Sequence, residues 1–526
     1  MGSGDVNFTS HPTPPPSPGR KAALRLADEA RDLWRQGKWP EAIEHLELAL
    51  KKDPKNPEIC VGLAKAHASC HRHDCAMDWL KKAFAMAPDS AQLQLESALQ
   101  LHQFGRIDQA VICLQKTLQL QPGNITAQSL LAEIAEHQHA LDKALEHVER
   151  VRAFAPQHPG MQLLMGRIFR RQGKWDQAET KLRDLATTHG LPAELAYRGW
   201  MELGHVFDAQ KQYDDAMAAF QRGKSFLIPK APQQWALLQT VHDRMAEMLA
   251  LSNAELFQKW KSALPSLTPG RRISLLCGHP RSGTTLVEQV IDAHPQAISL
   301  EETRILHDNA YLPLTRDMAP ETSILKVLND ASDQTLRDAR AEYWRCAEGF
   351  LGESIGDRLL VDKNPAFSIL LLPLARFFPE AKILVALRDP RDVVLSCFMQ
   401  PLSLNPVSSS YLTLEKTVEQ YAGVMQFLNR LRPLLPQDTL EVRYERFVSN
   451  PEPESRRLLD FLGLPWDPGV MQFHDRAREK WVRSPTYDAV SQPIHQKAVG
   501  RWQGYAHYLE PQLPKLKSLM DSMGYS

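Results

Sequence analysis

The 526-residue sequence predicts an α-helical solenoid followed by an α/β domain that is built on a parallel sheet. Two patterns support this fold class. The first half repeats small residues and prolines with a fixed period, which is typical of stacked helical hairpins. The second half alternates short apolar segments with helical patterns, which is typical of strands joined by crossover helices. A polar loop with Gly278 and Gly283 separates the first apolar segment of that half from its first helical pattern.

The period in the first half is 34 residues, and it is seen in three columns of the sequence. The columns are Pro54, Pro88, Pro122 and Pro156; Ala42, Ala76, Ala110, Ala144 and Ala178; and Ala30, Ala64, Ala98, Ala132 and Gly166. This is the period of tetratricopeptide repeats, in which each repeat contributes two antiparallel helices. A further repeat, displaced from this register, includes Gly204 and Ala216. The sequence therefore predicts about six repeats over residues 23–227.

The segments around the repeats differ from them in composition. Met1–Arg20 is rich in Pro, Ser, Gly and Thr, so residues 1–22 are predicted to form a disordered tail. Residues 228–270 are predicted to form a helical bridging segment with one helix over Gln233–Ser262, and residues 271–526 to form the sheet domain. The predicted strands of that domain are Ile273–Cys277, Leu359–Asp362, Ile383–Leu387 and Thr439–Arg443.

The overall composition limits the classes of function. Lys and Arg together number 62, as do Asp and Glu, so zero net charge gives no global attraction to nucleic acids or anionic membranes. No run of 18 apolar residues is present, so no membrane span is expected. Seven cysteines without paired spacing favour free thiols in a reducing compartment, and we expect a cytoplasmic location. No metal site is expected, because one dense cluster is interpreted as a polar turn: His67, Cys70, His71, His73 and Cys75.

Polar residues follow each predicted strand of the second half. Arg281 comes after the first strand, Lys363 after the second, Arg388 after the third and Tyr444 after the fourth. The carboxyl ends of parallel strands meet at one edge of a sheet, where such folds bind their ligands. We therefore expect these four side chains to surround one site.

The loop after the first strand has the features of a phosphate-binding loop. It joins a strand directly to a helix, an arrangement that offers backbone N–H groups to an anion. No Lys follows Gly283, so the loop is not that of a nucleoside triphosphatase that holds Mg²⁺. It is suited to a phosphate bound without metal, and the alternative interpretation is an ordinary turn that contains glycine.

Three short motifs in this region carry a resemblance to a known family. They are Pro-Arg-Ser-Gly-Thr-Thr-Leu at 280–286, Asp-Ala-His-Pro at 292–295 and Glu-Glu-Thr-Arg at 301–304. In this order they resemble the tyrosylprotein sulfotransferases and their bacterial relatives, over about residues 271–505. The first half is similar to the repeat region of bacterial proteins that fuse tetratricopeptide repeats to a sulfotransferase. The resemblance implies transfer of a sulfuryl group from 3′-phosphoadenosine-5′-phosphosulfate (PAPS) to an acceptor hydroxyl, in a P-loop-like domain.

The resemblance also implies catalytic residues. Arg281 matches a catalytic arginine of the family, and Glu302 matches its general base. Lys363 matches a lysine directed at the leaving oxygen, and Ser484 is similar to a serine that stabilises the transferring group. Cytosolic small-molecule sulfotransferases use a histidine base instead, so His279 leaves an alternative open for the base.

Further residues are implied to bind the donor. The loop residues Arg281, Ser282, Gly283, Thr284 and Thr285 hold the 5′-phosphosulfate in the family pattern. Arg388 and Ser396, which are eight residues apart, match the pair that binds the 3′-phosphate. Tyr444 matches a residue near the adenosine, and Lys497 or Arg501 matches a basic residue that reaches the 3′-phosphate.

Several alternatives stay open from the sequence. The acceptor is a peptide tyrosine, a glycan or a small molecule, and no motif distinguishes these classes. The repeat array is expected to bind the acceptor or a peptide partner, with a spacer or homodimerisation role as the alternative. The rival functions are a scaffold whose transferase domain binds nucleotide without turnover, and a P-loop kinase, which the missing loop lysine disfavours.

Overall fold

The computed structural model describes residues 17–267, 270–316, 318–319, 322–435, 437–479 and 490–525. Its first part consists of six antiparallel helical pairs, which confirms the predicted tetratricopeptide solenoid. The helices are α1 (Pro18–Arg35), α2 (Trp39–Lys52), α3 (Pro57–Ser69), α4 (His73–Met86), α5 (Ala91–Gln103), α6 (Ile107–Leu120), α7 (Ile125–His137), α8 (Leu141–Phe154), α9 (Pro159–Arg171), α10 (Trp175–Ala186), α11 (Ala193–Ala209) and α12 (Tyr213–Ser225). Helix α1 begins within the predicted tail, because the hydroxyl of Ser17 caps it by accepting from the N–H of Arg20.

The sequence period arises where paired helices approach closely. A Cβ atom on Gly166 would lie 2.5 Å from the side chain of Leu182, and one on Gly204 would lie 2.5 Å from the ring of Phe220. The alanines at the positions equivalent to Gly166 are buried; Ala98 and Ala132, for example, are 0% exposed. Small residues therefore recur because larger ones would separate the helices of each pair.

The chain divides into two compact units, with the boundary between Pro122 and Gly123. Helices α1–α6 belong to the first unit, and α7–α12 belong to the second unit together with the sheet. One apolar core of the second unit combines repeat residues such as Met201 and Phe220 with Phe398 and Tyr505 of the sheet domain. The compact units therefore do not coincide with the predicted domains, whose boundaries stay predictions.

Two helices follow the repeats, α13 (Ala231–Leu251) and α14 (Ala254–Ser262). The prediction of one continuous helix over Gln233–Ser262 is therefore wrong. The chain leaves the helical conformation at Ser252, and the side chain of Asn253 starts α14 by accepting from the N–H of Leu256 at 2.9 Å.

The sheet has five parallel strands in the order β2-β3-β1-β4-β5. The strands are β1 (Ile273–Gly278), β2 (Ala297–Glu301), β3 (Leu359–Lys363), β4 (Lys382–Leu387) and β5 (Thr439–Arg443). Four of them agree with the predicted strands, and β2 was not predicted. Strand β1 is central and buried along its whole length, so the loop that follows it starts from the rigid middle of the sheet.

Helices connect and cover these strands. They are α15 (Thr284–Asp292), α16 (Leu312–Thr315), α17 (Ile324–Asp330), α18 (Asp333–Leu351), α19 (Phe367–Phe377), α20 (Pro390–Met399), α21 (Pro406–Ser409), α22 (Leu414–Leu431), α23 (Tyr444–Ser449), α24 (Pro451–Leu462) and α25 (Phe473–Glu479), followed by Ala506–Leu509 and Leu513–Met523. Within the described part of the chain, no helix is both long and apolar enough to cross a membrane. The same residues contain no group of three His, Cys, Asp or Glu side chains arranged to hold a metal ion.

Candidate active site

A cavity of about 340 Å³ lies at the carboxyl ends of the strands. Arg281, Glu302, Arg388 and Tyr444 line it, and each of them follows a different strand of the sheet. The first turn of α15 also faces the cavity, and the segment after α20 contributes further lining residues. The sheet therefore brings residues that are distant in sequence to one site. Three of the four predicted strand-end residues line the cavity, whereas the fourth, Lys363, is not part of its described lining.

The loop between β1 and α15 is shaped by two glycines. Gly278 has a φ of +143°, and a Cβ atom there would lie 2.5 Å from the carbonyl oxygen of Ala386 in β4. Gly283 has a φ of +95°, and a Cβ atom there would lie 2.7 Å from Cδ2 of Tyr444. The buried Ser282 donates its N–H to the carbonyl of His279 at 3.1 Å, which tightens the turn. The start of α15 consequently faces the cavity with the donor groups of a helix N-terminus.

The first two residues of α15 are among the predicted loop residues. Thr284 and Thr285 line the cavity and are buried. Their hydroxyls lie where the helix begins, so they add polar groups to the backbone N–H groups of that end. The first turn of α15 is thus polar on the side that meets the cavity.

Arg281 lies in this loop with a φ of +72°, a conformation that non-glycine residues seldom adopt. Its Nε donates to the hydroxyl of Ser396 at 3.0 Å, and Ser396 belongs to α20. Burial lowers the pKa of Arg281 to about 10, so the guanidinium remains charged at neutral pH. The loop arginine and the α20 serine, which are 115 residues apart, are thus in direct contact.

Arg388 follows β4 and lies beside Arg281. Its Nη1 donates to the carbonyl of Arg281 at 3.2 Å, and its Nη2 donates to the carbonyl of Ala498. The guanidinium carbon lies 4.8 Å from the ring centre of Tyr444, within the range of a cation–π contact. Its Nε is buried and has no hydrogen-bond partner among the described residues. Arg388 therefore keeps one donor that its described neighbours do not use.

Glu302 and Lys363 form an ion pair on the other side of the site, at the ends of β2 and β3. Glu302 has a φ of +48°, and its N–H donates to the carbonyl of Lys363 at 2.8 Å. Its carboxylate accepts from Nζ of Lys363 at 2.8 Å while its side chain is 37% exposed and lines the cavity. The strained backbone thus directs the Glu302 carboxylate to the cavity wall.

The ammonium of Lys363 is fully buried among carboxylates. Besides Glu302, it lies 3.3 Å from Oε2 of Glu288 and 3.7 Å from Oε1 of Glu301. Burial alone would lower the pKa of Lys363, but the three carboxylates outweigh that effect and hold it above its usual value. Glu288 also accepts from the hydroxyl of Ser299 at 2.8 Å, so the cluster is fixed from α15 and β2 as well as β3.

Not every predicted site residue lies at the cavity. Lys497 is exposed, and Arg501 pairs with Asp208 of helix α11; neither is among the described residues that line the cavity. Ser484 lies outside the described residues. Lys363 contacts the Glu302 carboxylate, and its own side chain is not part of the described lining.

His279 occupies a different environment from Glu302. Its ring is fully buried, lies 4.9 Å from the ring centre of Tyr421, and has Nδ1 3.0 Å from the carbonyl oxygen of Pro280. Burial lowers the pKa of His279 to about 4. His294 is also buried, with Nε2 2.9 Å from the carbonyl oxygen of Pro465. Glu302 rather than either histidine is therefore placed to meet a molecule in the cavity.

Sequence reasoning missed three buried acids and one wall of the site. Glu288 holds Lys363, and Asp392 accepts from the N–H groups of Gly500 and Trp502 at 2.8 and 2.9 Å. Asp362 accepts from the hydroxyl of Tyr343 at 2.8 Å, and its pKa is raised to about 7 by burial. Asp392 follows Arg388 by one helical turn, which is a signal that spacing alone could have provided. The missed wall consists of Gln400, Leu402, Asn405, Val407, Ser408 and Tyr411.

Comparison with known proteins agrees with this arrangement. Residues 275–468 match the model of the sulfotransferase family, and residues 33–100, 101–168 and 163–233 match tetratricopeptide-repeat models. An uncharacterized protein of Aquifex aeolicus is 22% identical over 353 residues, which are 64% of this chain and 43% of that protein. Protein-tyrosine sulfotransferase A of Caenorhabditis elegans is 28% identical over 235 residues, which are 43% of this chain and 60% of that protein.

A solved structure of the sulfotransferase domain from the curacin biosynthetic pathway is 20% identical. The match covers 49% of this chain and 99% of that domain, with a TM-score of 0.35. The chain spans 43% of the length of the Aquifex protein and 60% of the length of the Caenorhabditis enzyme. The family matches and the observed architecture together identify the chain as a tetratricopeptide-repeat protein that carries a domain of the sulfotransferase family.

Proposed function

We propose that this protein transfers a sulfuryl group from PAPS to the hydroxyl of an acceptor. The observation that supports the proposal most is that two arginines, a helix N-terminus and a carboxylate converge on one cavity. Sulfuryl transfer needs fixed cations for the leaving phosphate and a base for the acceptor proton, and it needs little else from a protein. The membership of this domain in the sulfotransferase family agrees with that chemistry.

The proposed reaction exchanges one sulfur–oxygen bond for another. The bond between sulfur and the 5′-phosphate oxygen breaks, a bond between sulfur and the acceptor oxygen forms, and the acceptor proton moves to the Glu302 carboxylate. The products are the sulfated acceptor and 3′,5′-adenosine bisphosphate. Arg281 supplies positive charge near the leaving phosphate, where charge accumulates in the transition state.

The residues at the donor side suit a nucleotide with two phosphate positions. The first turn of α15 offers backbone N–H groups to one anion, and Gly283 lets the preceding loop pack against the ring of Tyr444, where a Cβ atom would clash. Arg388 lines the cavity, and its guanidinium can donate to an oxygen of a second phosphate. Tyr444 contacts the Arg388 guanidinium, lines the cavity and is suited to contact the nucleoside.

Glu302 is the proposed general base because its carboxylate is fixed and accessible. The ion pair with Lys363 orients the carboxylate, and 37% of the Glu302 side chain remains exposed at the cavity wall. We propose that Lys363 orients the Glu302 carboxylate. The action of Lys363 on the leaving oxygen and the role of Ser484 stay predictions from the family resemblance.

Several finer points also belong to the proposal. The acceptor class stays open among peptide tyrosine, glycan and small-molecule hydroxyls. We propose that the repeats bind a peptide or protein partner, because arrays of stacked helical hairpins commonly provide extended binding surfaces. The cytoplasmic location and the homodimer stay predictions from the sequence.

Nucleotide binding in the presence of a chelator tests the donor assignment. We expect calorimetry to show that 3′,5′-adenosine bisphosphate binds in EDTA and that added Mg²⁺ leaves the affinity unchanged. Arg388→Met should weaken binding by about 1.5–3 kcal/mol, the value of hydrogen bonds to a charged group. Arg150→Met, in helix α8 with a side chain that is 59% exposed, is the matched control and should bind like the wild type. A requirement for Mg²⁺, or preference for ATP with Mg²⁺, would instead support the kinase alternative.

Turnover with radiolabelled PAPS tests the reaction itself. Acceptors of the three classes are screened with the wild type, and the active acceptor is then used for Glu302→Gln. This variant should retain donor affinity and lose roughly 10²–10⁴-fold in turnover. A wild type that binds nucleotide but modifies no acceptor would favour the scaffold alternative, and loss of turnover in His279→Gln but not Glu302→Gln would reassign the base.

A further inference from the structure

One carboxylate of the sixth repeat, that of Asp208, binds residues of the sheet domain that lie close in sequence to the cavity-lining Ala498. Asp208 lies near the end of α11, and its side chain is 14% exposed. Its Oδ2 pairs with the guanidinium of Arg501, and its Oδ1 accepts from the hydroxyl of Tyr505 at 2.7 Å. The same stretch packs against α12, since a Cβ atom on Gly504 would lie 2.7 Å from Cζ of Tyr213. The contact between the sixth repeat and residues 501–505 is therefore close and specific.

The stretch that Asp208 holds is also bound from the opposite side by α20. Asp392 of α20 accepts from the N–H of Gly500 at 2.8 Å and from the N–H of Trp502 at 2.9 Å. The guanidinium carbon of Arg391 lies 4.0 Å from the ring centre of Trp502. Residues 498–505, the clamp segment, are consequently fixed between a repeat helix and the helix that carries Ser396.

The clamp segment in turn orients the proposed donor-binding arginine. Nη2 of Arg388 donates to the carbonyl of Ala498 and lies 3.6 Å from Oδ2 of Asp392. Ala498 also lines the cavity. One group that fixes the Arg388 guanidinium, the carbonyl of Ala498, thus belongs to the clamp segment, and a second, Asp392, is shared between Arg388 and the clamp segment. A small displacement of the segment would weaken these contacts, because hydrogen bonds lose energy steeply with misalignment.

We infer that Asp208 of the sixth repeat is a positioning residue for the 3′-phosphate of the donor. It holds the clamp segment through Arg501 and Tyr505, and the clamp segment holds Arg388. This inference rests on the proposed function, since it assumes that Arg388 binds that phosphate. It assigns Arg501 a different role from the one that the family resemblance implies: its guanidinium is bound by the repeat and acts on the donor only through the clamp segment.

The full-length Asp208→Asn variant tests the inference, with Asp214→Asn as the matched control. Asp214 is another carboxylate of the sixth repeat, and it accepts from the hydroxyl of Tyr508 at 3.0 Å, outside the clamp segment. Calorimetry compares 3′,5′-adenosine bisphosphate with adenosine 5′-monophosphate, which lacks the 3′-phosphate. We expect Asp208→Asn to lose roughly tenfold in affinity for the bisphosphate only. Asp214→Asn should match the wild type with both nucleotides.

The direction of the affinity change in Asp208→Asn, and whether it is confined to the bisphosphate, distinguish a positioning role from direct phosphate binding by Arg501 and from a general structural defect. Tighter binding by Asp208→Asn would mean that the released Arg501 meets the phosphate directly, and it would overturn the inference. An unchanged affinity, or an equal loss for both nucleotides, would also overturn it, because a general structural defect does not select the 3′-phosphate. Asp208→Glu, which keeps the charge, should recover part of the loss.

A second variant decides the matter if Asp208→Asn does not fold. Tyr505→Phe removes one hydrogen bond to Asp208 and keeps the ring in its buried position. It should show a smaller loss that is again confined to the bisphosphate, and wild-type selectivity would count against the inference. If the wild type itself binds neither nucleotide, the proposed function fails and this inference fails with it. If the wild type binds and the variants do so equally well, only this inference fails.

Discussion

The buried ammonium of Lys363 holds three carboxylates together, so its removal is expected to destabilise the sheet domain strongly. In Lys363→Met, the carboxylates of Glu288, Glu301 and Glu302 lose the cation that lies 3.3, 3.7 and 2.8 Å from them. At an effective dielectric constant of about 20, each contact is worth roughly 5 kcal/mol before desolvation is counted. Because burying the ammonium offsets much of that gain, we expect a net loss of about 3–5 kcal/mol in the free energy of unfolding.

Urea unfolding at pH 7.5 and pH 5 measures this loss and its cause. Without Lys363, the buried carboxylates bind protons more readily in the folded state than in the unfolded state. Stability then falls as the pH rises, so the loss should be larger at pH 7.5 than at pH 5. The double variant Lys363→Met with Glu288→Gln should recover part of it. The surface variant Lys326→Met, whose side chain is 69% exposed, should change stability by less than about 0.5 kcal/mol. A loss below about 1 kcal/mol, or one independent of pH, would refute this account of the cluster.

Three further predictions concern the loop, the repeats and the compact units. Gly283→Ala should abolish most binding of 3′,5′-adenosine bisphosphate, because Gly283 has a φ of +95° and the new Cβ would lie 2.7 Å from Tyr444. The control is Gly423→Ala, where no atom lies within 4 Å of the new Cβ. Equal affinities of the two variants for the bisphosphate would be inconsistent with the loop assignment. Burial raises the pKa of Glu202, but Arg167 and Arg170 outweigh burial and lower it from 4.5 to about 2. The ion pairs of Glu202 should therefore contribute roughly 3 kcal/mol to the free energy of unfolding above pH 4.5, and this contribution is lost as the pH falls towards 2. Thermal unfolding between pH 6 and 3 should show a weaker acid dependence in Glu202→Gln, and an unaltered dependence would contradict the assignment. A chain that begins at Gly123 should fold and bind the bisphosphate. A chain that begins at Ser252 should not fold, because it lacks most of the core that the last repeats share with the sheet domain. Circular dichroism measures the folding of both fragments and calorimetry measures their nucleotide binding; a folded Ser252 fragment or an unfolded Gly123 fragment would contradict the prediction.

The sequence predicted four of the five strands, including the polar β5, and it missed β2. Strand β2 contains Ser299 and ends at Glu301, so its pattern does not indicate a buried segment. Both residues are nevertheless buried, because Ser299 donates to Glu288 and Glu301 lies beside Lys363. Those partners come from other elements, and no local pattern reveals them.

Arg281 and Ser396 were both predicted as donor-site residues, and they follow β1 and β4, which are neighbours in the sheet. Their direct contact at 3.0 Å was not predicted, because they are 115 residues apart and lie in a loop and a helix. The cluster around Lys363 could not be predicted, since its acids lie on different elements. Arg501 shows the same limit: its partner Asp208 lies 293 residues away, in a segment that the sequence assigned to a separate domain.

The position of Asp208 in its repeat explains why this carboxylate contacts the sheet domain. Gly166 faces Leu182 and Gly204 faces Phe220, so the sixth repeat is displaced by four residues from the 34-residue period. With this displacement α9 (Pro159–Arg171) corresponds to residues 197–209, so the additional turn of α11 (Ala193–Ala209) lies at its start and Asp208 lies in the regular part of the helix.

The equivalent residue of the fifth repeat is Arg170, and it donates to Glu202 of the sixth repeat. Asp208 instead binds Arg501 and Tyr505 of the sheet domain. The sixth repeat therefore contacts the sheet domain through a position that the fifth repeat uses to contact its neighbouring repeat.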